Sequence, residues 1–387
     1  MLSMAKLIKQ NIILCCLHAL LLCDKKVRQG RRPSVRWMTL LVCLGIATVQ
    51  ASYAQSLQIA SKAHPDGTKV TIYREWPQRM LVDTLRLTGG KATLQLRDSL
   101  PMVYSVSIRT PYHHAIVFSN EGDMSITIPE NGTAVVKGGK YQQQLSAFEQ
   151  SLEADQKAWN EWGNTYGKAT DLELKLKANQ ESNKYAAKVM QARLNFALKH
   201  RQDIAGAWSA YNQANLWQPA ELNQLVAAYK TSPLSPVTYN RLLQLQQQHE
   251  ANIMTGRKAP EFSLQNMDGK VVTLQSLLQQ NKYVLVDYWA SWCTPCRAAN
   301  RKLAPIYEKL KSKGIALVSV SVDTNEELWK KAVASDNIPW LQLRADKAMD
   351  SEAVKAYRVK TLPATFLIDQ TGTIIRQQVT EQQLLQL

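Results

Sequence analysis

The sequence predicts a multidomain protein in which an all-β sandwich or barrel-like domain and a helical middle region precede an α/β domain. Its 387 residues exceed what a single hydrophobic core usually organises. Residue preferences also change along the chain: β-prone runs occupy 55–139, helix formers dominate 140–254, and strands alternate with helices over 255–387. Residues 1–54 stand apart as an export-signal region.

The β-rich domain is predicted from short runs of β-branched and aromatic residues that are separated by glycine and asparagine turns. His113 and His114 lie just before one run, and we expect solvated loop histidines because an adjacent pair cannot by itself chelate one metal ion. The runs are Val70–Tyr73, Leu81–Leu87, Ala92–Leu96, Val103–Ile108, Ala115–Phe118 and Met124–Ile128.

The middle region between Lys140 and His249 is rich in Gln, Ala, Leu, Lys and Glu and poor in β-branched residues, which predicts about five helices. Breaks are expected at 163–167, near Pro219 and at 232–236. The tryptophans here are expected to anchor the core, with a ligand-stacking platform as the alternative. They are Trp159, Trp162, Trp208 and Trp217.

The α/β domain is predicted from strand-like runs that alternate with helical segments. Val284–Val286 is continuously apolar, which is typical of a strand covered on both faces. Helices are expected after Cys293 and from Asn325. The predicted strands are Tyr283–Tyr288, Ala316–Val322, Thr365–Ile368 and Thr373–Arg376.

Charge is concentrated at the start of the chain. The formal net charge is +16, of which residues 1–54 contribute +7 and the rest +9. The basic residues form no array interleaved with aromatic residues, so we expect a solvated basic surface and no nucleic-acid partner.

The leader has the pattern of an export signal. Basic residues over Arg28–Arg36 precede the apolar run Met38–Val49, and Ser52–Ala54 carries small residues at both positions that a signal peptidase reads. We therefore expect cleavage after Ala54 and an exported, periplasmic or cell-envelope location. An uncleaved anchor is an alternative, although the run is shorter than the ~20 apolar residues of a membrane span. The earlier apolar run Ile12–Cys23 leaves a membrane hairpin and the true translation start open.

Cys293 and Cys296 are the only cysteines after residue 54. Two thiols separated by two residues at the start of a helix can close reversibly into a disulfide, and the helix dipole favours the thiolate of the first. We expect the Cys293 sulfur to be exposed and Cys296, one turn later, to be shielded. Asp287 is the only nearby carboxylate, and its burial would raise its pKa as a general base for a thiol requires.

Other uses of the cysteine pair are disfavoured. A structural zinc site needs about four ligands, and a disulfide across two residues restrains too little chain to add much stability. A Cys-His hydrolase needs a histidine nearby, whereas all six histidines lie before residue 250. The sequence therefore favours thiol-disulfide exchange, with the Cys293–Cys296 disulfide as its redox group and no added cofactor.

The segment Val284–Cys296 resembles the active-site strand and turn of the thioredoxin family. The resemblance implies a thioredoxin fold with an extra strand-helix insertion at about Glu326–Tyr357. Further segments resemble the exported TlpA/ResA-like branch of that family: Lys258–Leu264, Asp268–Lys270, Val318–Asp323 and Thr361–Asp369.

The resemblance implies catalytic roles for three residues. Cys293 would be the attacking cysteine, Cys296 the resolving cysteine and Asp287 the buried acid. Thr294 and Pro295 would tune the redox potential, and the absence of a histidine from this dipeptide favours reduction slightly.

The resemblance also implies a substrate-docking surface. Pro363 would be a cis-proline facing the disulfide, which lets the backbone of Leu362 pair with an extended segment of the substrate. Trp292 would shield the site and shape the surface. The implied partners are protein disulfide substrates and an exported or membrane thiol protein as electron donor, and a homo-oligomer is left open.

The upstream segments Asp83–Leu96, Phe118–Ile128 and Val136–Gly139 resemble the β-rich N-terminal domain that is often joined to such modules in Bacteroidetes. The chain departs from the branch after the disulfide, where Ala299–Arg301 replaces the usual proline and glutamate. With Arg297, this segment is expected to make the field around Cys293 more basic.

Two rival functions stay open. A thiol peroxidase would share the fold, but its Pro-x-x-x-Thr-x-x-Cys pattern is absent before Cys293. A binding protein would capture a partner through the β and helical regions and use the thioredoxin-like domain only for docking.

Overall fold

The computed structural model describes residues 55–98, 100–119, 122–232 and 235–387. The predicted export signal lies outside these described residues. The chain divides into two compact units: the first runs to Gln150 and includes 199–209 and 232–238, and the second comprises the remaining segments. The predicted domain boundaries after residues 54, 139 and 254 stay predictions.

The first unit contains a β sandwich. Its two four-stranded sheets have the orders β4-β1-β7-β8 and β3-β2-β5-β6. Six of the strands confirm the predicted runs, whereas β1 and β8 were not predicted, because one sits beside the predicted signal and the other is very short. The strands are β1 (Gln55–Ser61), β2 (Lys69–Trp76), β3 (Met80–Arg86), β4 (Lys91–Leu96), β5 (Val103–Ile108), β6 (His113–Phe118), β7 (Met124–Ile128) and β8 (Val135–Lys137).

One hydrophobic core joins the two sheets. Leu57 and Ile59 from β1 and Val70 and Ile72 from β2 are at most 1% exposed and belong to the same cluster. Each such side chain contributes about 1.5–3 kcal/mol when it is fully buried. The shared core confirms a sandwich for the β-rich region.

The predicted loop position of the adjacent histidines is wrong. His113 and His114 begin β6, where they pair with Ile108 and Ser107 of β5. The histidine ring of His113 also packs edge-on against that of His64, at a centroid distance of 5.1 Å. Strand pairing with β5 therefore extends further than the local sequence indicates.

The middle region is helical, as predicted. Its described α-helices are α1 (Lys140–Lys168), α2 (Leu172–Lys199), α3 (Ile204–Asn212), α4 (Pro219–Tyr229) and α5 (Ser235–Ala251). The predicted break at 163–167 is wrong, because α1 continues through both glycines and ends at Lys168. Trp208 and Trp217 are buried as expected, whereas Trp159 and Trp162 are only half-buried.

The C-terminal part of the chain has the predicted thioredoxin-like fold around a seven-stranded mixed sheet of order β10-β9-β13-β12-β11-β14-β15. The strands are β9 (Ser263–Asn266), β10 (Val271–Thr273), β11 (Tyr283–Trp289), β12 (Ile315–Ser321), β13 (Leu341–Arg344), β14 (Ala364–Asp369) and β15 (Ile374–Gln377). The helices are α6 (Leu274–Leu278), α7 (Thr294–Leu303), α8 (Tyr307–Ser312), α9 (Glu326–Ser335), α10 (Glu352–Ala356) and α11 (Glu381–Leu385).

Strand β11 lies at the centre of this sheet and leads into the cysteine pair. It runs parallel to β12 and antiparallel to β14, and its residues from Val284 to Trp289 are all buried. Its last residue, Trp289, is therefore held firmly where the chain turns toward α7. Among the described helices, none combines the length and the apolar character needed to cross a membrane.

Candidate active site

Cys293 and Cys296 form a disulfide at the N-terminus of α7. Cys293 is the N-cap residue, its sulfur accepts a 3.3 Å hydrogen bond from the Cys296 N–H, and the two Cα atoms are 5.3 Å apart. Thr294 and Pro295 occupy the first turn, where proline is well tolerated because its missing N–H would have no partner within the helix. The helix therefore begins at the position where the two cysteine sulfurs are close enough to form a disulfide.

The two cysteines differ less in burial than expected. Cys293 is 5% exposed and Cys296 is 1% exposed, so the predicted exposed first thiol is not seen in the disulfide form. The reason is that the Cys293 sulfur caps the helix, where it is bonded to the Cys296 sulfur and accepts the Cys296 N–H. Trp292, which directly precedes Cys293, is by contrast 66% exposed.

Asp287 lies in the centre of the sheet and is buried, as predicted. Burial raises its pKa from 3.8 to about 7, while a hydrogen bond from Ser319 acts in the opposite direction. The Ser319 hydroxyl donates to Asp287 Oδ2 at 3.2 Å. A carboxyl group with this pKa can both accept and release a proton near neutral pH.

The loop with Leu362 and Pro363 lies at the same end of the sheet as the disulfide turn. Ala364, which begins β14, pairs with Tyr288, the residue before the end of β11. The Leu362–Pro363 peptide bond is cis, and both residues are half-buried. Strand pairing thus brings the predicted docking residues close to the turn that carries Trp292.

Asp323 fixes the turn before the disulfide, a function that the sequence did not reveal. Its carboxylate accepts bonds from the Ser291 N–H at 2.8 Å, the Ser291 hydroxyl at 2.6 Å and the Ser321 hydroxyl at 2.8 Å. Asp323 is 3% exposed. The residue holds Ser291, and therefore the start of the disulfide segment, against the end of β12.

Replacing Asp323 with alanine is expected to destabilise the protein by about 2 kcal/mol, because it leaves buried donors without a charged acceptor. The reduction of the disulfide by dithiothreitol should also change in rate, since the turn is no longer held. Denaturant unfolding and the rate of reduction measure the two effects.

Asp369→Ala is the matched control, because Asp369 also accepts three hydrogen bonds in a turn but lies opposite Tyr283, at the other end of β11. A reduction rate that changes equally in both variants would contradict a specific role for Asp323.

The arginines after the disulfide are paired, which corrects the expectation of a more basic field at Cys293. Arg297 Nε donates to Asp336 at 2.7 Å, and Arg301 Nε donates to the same carboxylate at 2.7 Å. Arg301 also contacts Glu173 of α2. The Asp336 side chain is completely buried, so the two positive charges are offset by acids and serve to hold α7 against the end of α9.

Within the described residues, no group of three or more histidine, cysteine or acidic side chains could hold a metal ion. This part of the chain instead carries a disulfide at a helix N-terminus, a buried carboxyl group in the preceding strand and, between them in sequence, an exposed indole. The disulfide can be broken and re-formed by thiol exchange, and the carboxyl group can take up or release a proton near neutral pH.

Comparison with known proteins finds relatives of the C-terminal part of the chain. Residues 255–377 match the AhpC/TSA family. A thiol-disulfide oxidoreductase ResA from Bacillus thuringiensis subsp. konkukian is 30% identical over 133 residues, which are 34% of this chain and 74% of that protein. The ResA protein of Bacillus subtilis is 30% identical over 126 residues, or 32% of this chain and 67% of that protein.

Among solved structures, the thioredoxin domain of a thiol-disulfide oxidoreductase from Bacteroides vulgatus is 31% identical. The alignment covers 35% of this chain and 94% of that one, with a TM-score of 0.32. A thiol-disulfide oxidoreductase from Bacteroides fragilis is 32% identical, and the alignment covers 33% of this chain and 94% of that one with a TM-score of 0.31.

Proposed function

Because this chain belongs to the ResA-related thiol-disulfide oxidoreductases with a thioredoxin-like fold, we propose that it reduces protein disulfides through Cys293 and Cys296. The observation that carries the proposal is the disulfide at the N-terminus of α7, close in the chain to a buried carboxyl group with a raised pKa. These are the groups that a dithiol cycle requires.

In this cycle the Cys293 thiolate attacks one sulfur of a substrate disulfide. A bond forms between Cys293 and that sulfur, and the other substrate sulfur leaves as a thiolate. Cys296 then transfers its proton to Asp287 and attacks the sulfur of Cys293, which releases the second substrate thiolate. The substrate gains two electrons, and the protein is left with the Cys293–Cys296 disulfide.

The protein must then be reduced again, and we assign this step to an exported or membrane thiol protein. Export itself is supported by the basic and apolar pattern before Ala54. Docking of the substrate falls to the exposed Trp292 and to the backbone of Leu362, with Pro363 beside it, as the family resemblance implies.

The test uses the protein from Gln55 onward with Cys296→Ala, which can form the mixed disulfide but cannot resolve it. Incubated with a protein disulfide such as insulin, this variant should accumulate a covalent complex that dithiothreitol dissolves. Cys293→Ala is the control and should form none. If the Cys296→Ala variant traps no substrate, disulfide exchange is wrong and the partner-binding alternative is favoured.

The direction of transfer is tested by the reduction potential of the pair in glutathione and dithiothreitol buffers. A value near the roughly −270 mV of thioredoxin supports a reductant. A value near about −120 mV, as in strong oxidants, would contradict reduction but not exchange.

A further inference from the structure

A row of buried polar side chains crosses the central sheet at Asp287. Asp287 of β11 pairs with Ser319 of β12, and Ser319 pairs with Gln342 of β13. Directly paired residues point to the same face of a sheet, so these three side chains lie side by side. They are 7%, 0% and 3% exposed, respectively.

The hydrogen bonds in this row have a fixed direction. Trp340 Nε1 donates to Ser319 Oγ at 2.9 Å, and Ser319 Oγ donates to Asp287 Oδ2 at 3.2 Å. An indole N–H can only donate, and a hydroxyl has a single proton. With its acceptor side taken by Trp340, Ser319 directs that proton to the carboxyl group of Asp287.

Apart from Ser319 and Trp340, the side chains around Asp287 in one narrow gap are apolar. Trp340 is 5% exposed, and its ring packs against Tyr307 at a centroid distance of 5.7 Å, which holds the indole in place. Asp287, Ser319 and Trp340 line this narrow gap, which has no room for a water molecule and whose other walls are apolar. These walls are Leu285, Leu303, Leu317 and Val318.

No charged side chain among the described residues contributes to the pKa of Asp287. From β14, the paired residue is Thr365, whose hydroxyl oxygen accepts a bond from the Val379 N–H at 2.6 Å. Gln342 shares the face with Asp287, but its amide atoms make no hydrogen bond within the described part of the chain. Hydrogen bonding to Asp287 therefore comes from Ser319.

We propose that Ser319, held by Trp340, is a positioning residue that keeps Asp287 Oδ2 as an acceptor and sets the pH at which Asp287 takes the proton from Cys296. This inference rests on the proposed function. In the proton step, the bond between the Cys296 sulfur and its hydrogen breaks, and a bond to a carboxylate oxygen of Asp287 forms. The sulfur keeps the electron pair with which it attacks Cys293.

The physical effect of Ser319 has a definite sign. Burial raises the pKa of Asp287, and the hydrogen bond from Ser319 lowers it because the bond favours the charged carboxylate. Without the hydroxyl, the pKa rises further. A smaller fraction of Asp287 is then ionised at neutral pH, and proton transfer from Cys296 slows.

The experiment titrates the Asp287 carboxyl group by NMR in oxidised protein from Gln55 onward, with Asp287→Asn identifying its signal. Ser319→Ala should raise the midpoint by about one pH unit, a tenfold change in the ionisation equilibrium. Trp340→Phe should shift it in the same direction but less, because the hydroxyl is freed to turn away. Ser319→Thr keeps a hydroxyl and should restore the wild-type midpoint.

Gln342→Leu is the matched control, because it removes a polar group from the same buried row without touching a bond to Asp287. An unchanged midpoint in Ser319→Ala, or an equal shift in Gln342→Leu, would overturn the proposal. An unchanged midpoint in Trp340→Phe would overturn the part assigned to Trp340. The titration needs no turnover, so failure of the proposed disulfide exchange is seen separately, in the Cys296→Ala trap.

The functional readout is the pH profile of insulin reduction. Ser319→Ala should lose activity at neutral pH and recover it at alkaline pH, which a merely structural defect would not do. Equal loss at every pH would contradict a role through Asp287.

Discussion

Asp287→Asn is expected to stabilise the disulfide form by about 4 kcal/mol at pH 8.5 or above and to change its stability little below pH 4. The physical reason is the burial of an ionisable group. The folded protein holds Asp287 with a pKa of about 7, against the ordinary 3.8 that the unfolded chain restores. Each unit of difference between the folded and unfolded pKa corresponds to about 1.4 kcal/mol, so a difference of about three units gives about 4 kcal/mol.

The sign follows from proton binding. Between pH 3.8 and about 7 the folded protein keeps a proton on Asp287 that the unfolded chain has lost, so rising pH favours unfolding. The stability associated with this group is complete below pH 3.8 and is lost as the pH rises through about 7. Asparagine does not ionise, so the variant does not lose this stability as the pH rises.

The measurement is the free energy of unfolding in denaturant for both proteins, without reductant, from pH 4 to pH 8.5. The difference between the two proteins isolates Asp287, because the other groups titrate in both. Gln342→Leu is the control, since its effect should be the same at every pH. A constant difference between Asp287→Asn and the wild type would show that the carboxyl group is not buried as the structure has it.

Asp336→Ala is expected to destabilise the protein by about 3 kcal/mol, because it removes the acid that two arginines share. The Asp336 side chain is 0% exposed, and those of Arg297 and Arg301 are 14% and 29% exposed. Arg297 would lose its carboxylate partner and Arg301 one of its two, while both guanidinium groups stay partly out of water. The loss should appear as a lower midpoint in denaturant unfolding at neutral pH.

The control for this prediction is Glu326→Ala, which removes an acid that also contacts two basic residues, Lys330 and Arg344. This acid is exposed at the surface, where solvent weakens ion pairs, so the loss should be much smaller. Replacing Arg297, Arg301 and Asp336 together by apolar residues of similar size should recover much of the stability. Equal losses for Asp336→Ala and Glu326→Ala would contradict a buried ion cluster.

Much of the fold was predictable because local patterns and physical causes coincide. The apolar run Val284–Val286 predicts a strand covered on both faces, and β11 is buried on both. Two of the strands that were missed are short and partly polar: β9 reads Ser-Leu-Gln-Asn and β13 reads Leu-Gln-Leu-Arg. Their place comes from pairing with neighbouring strands, which no local pattern encodes.

The helical region also shows that a local preference does not decide where an element ends. Glycine costs a helix about 1 kcal/mol relative to alanine, which favours a break at Gly163–Gly167. The helix α1 nevertheless continues over 29 residues to Lys168, because a cost of this size at two positions is small for a helix of that length. A single-residue preference was outweighed by the rest of the helix.

By itself, the sequence determined the chemistry: a cysteine pair at the start of a helix, an aspartate in the strand before it, and the kind of domain that holds them. These features are local, since each depends on residues close together in the chain. Only the tertiary structure decided what surrounds them. Ser319 reaches Asp287 across 32 positions and Asp336 reaches Arg297 across 39. Such partners are set by strand register and helix packing. Burial there excludes water, which strengthens each hydrogen bond and each interaction between charges.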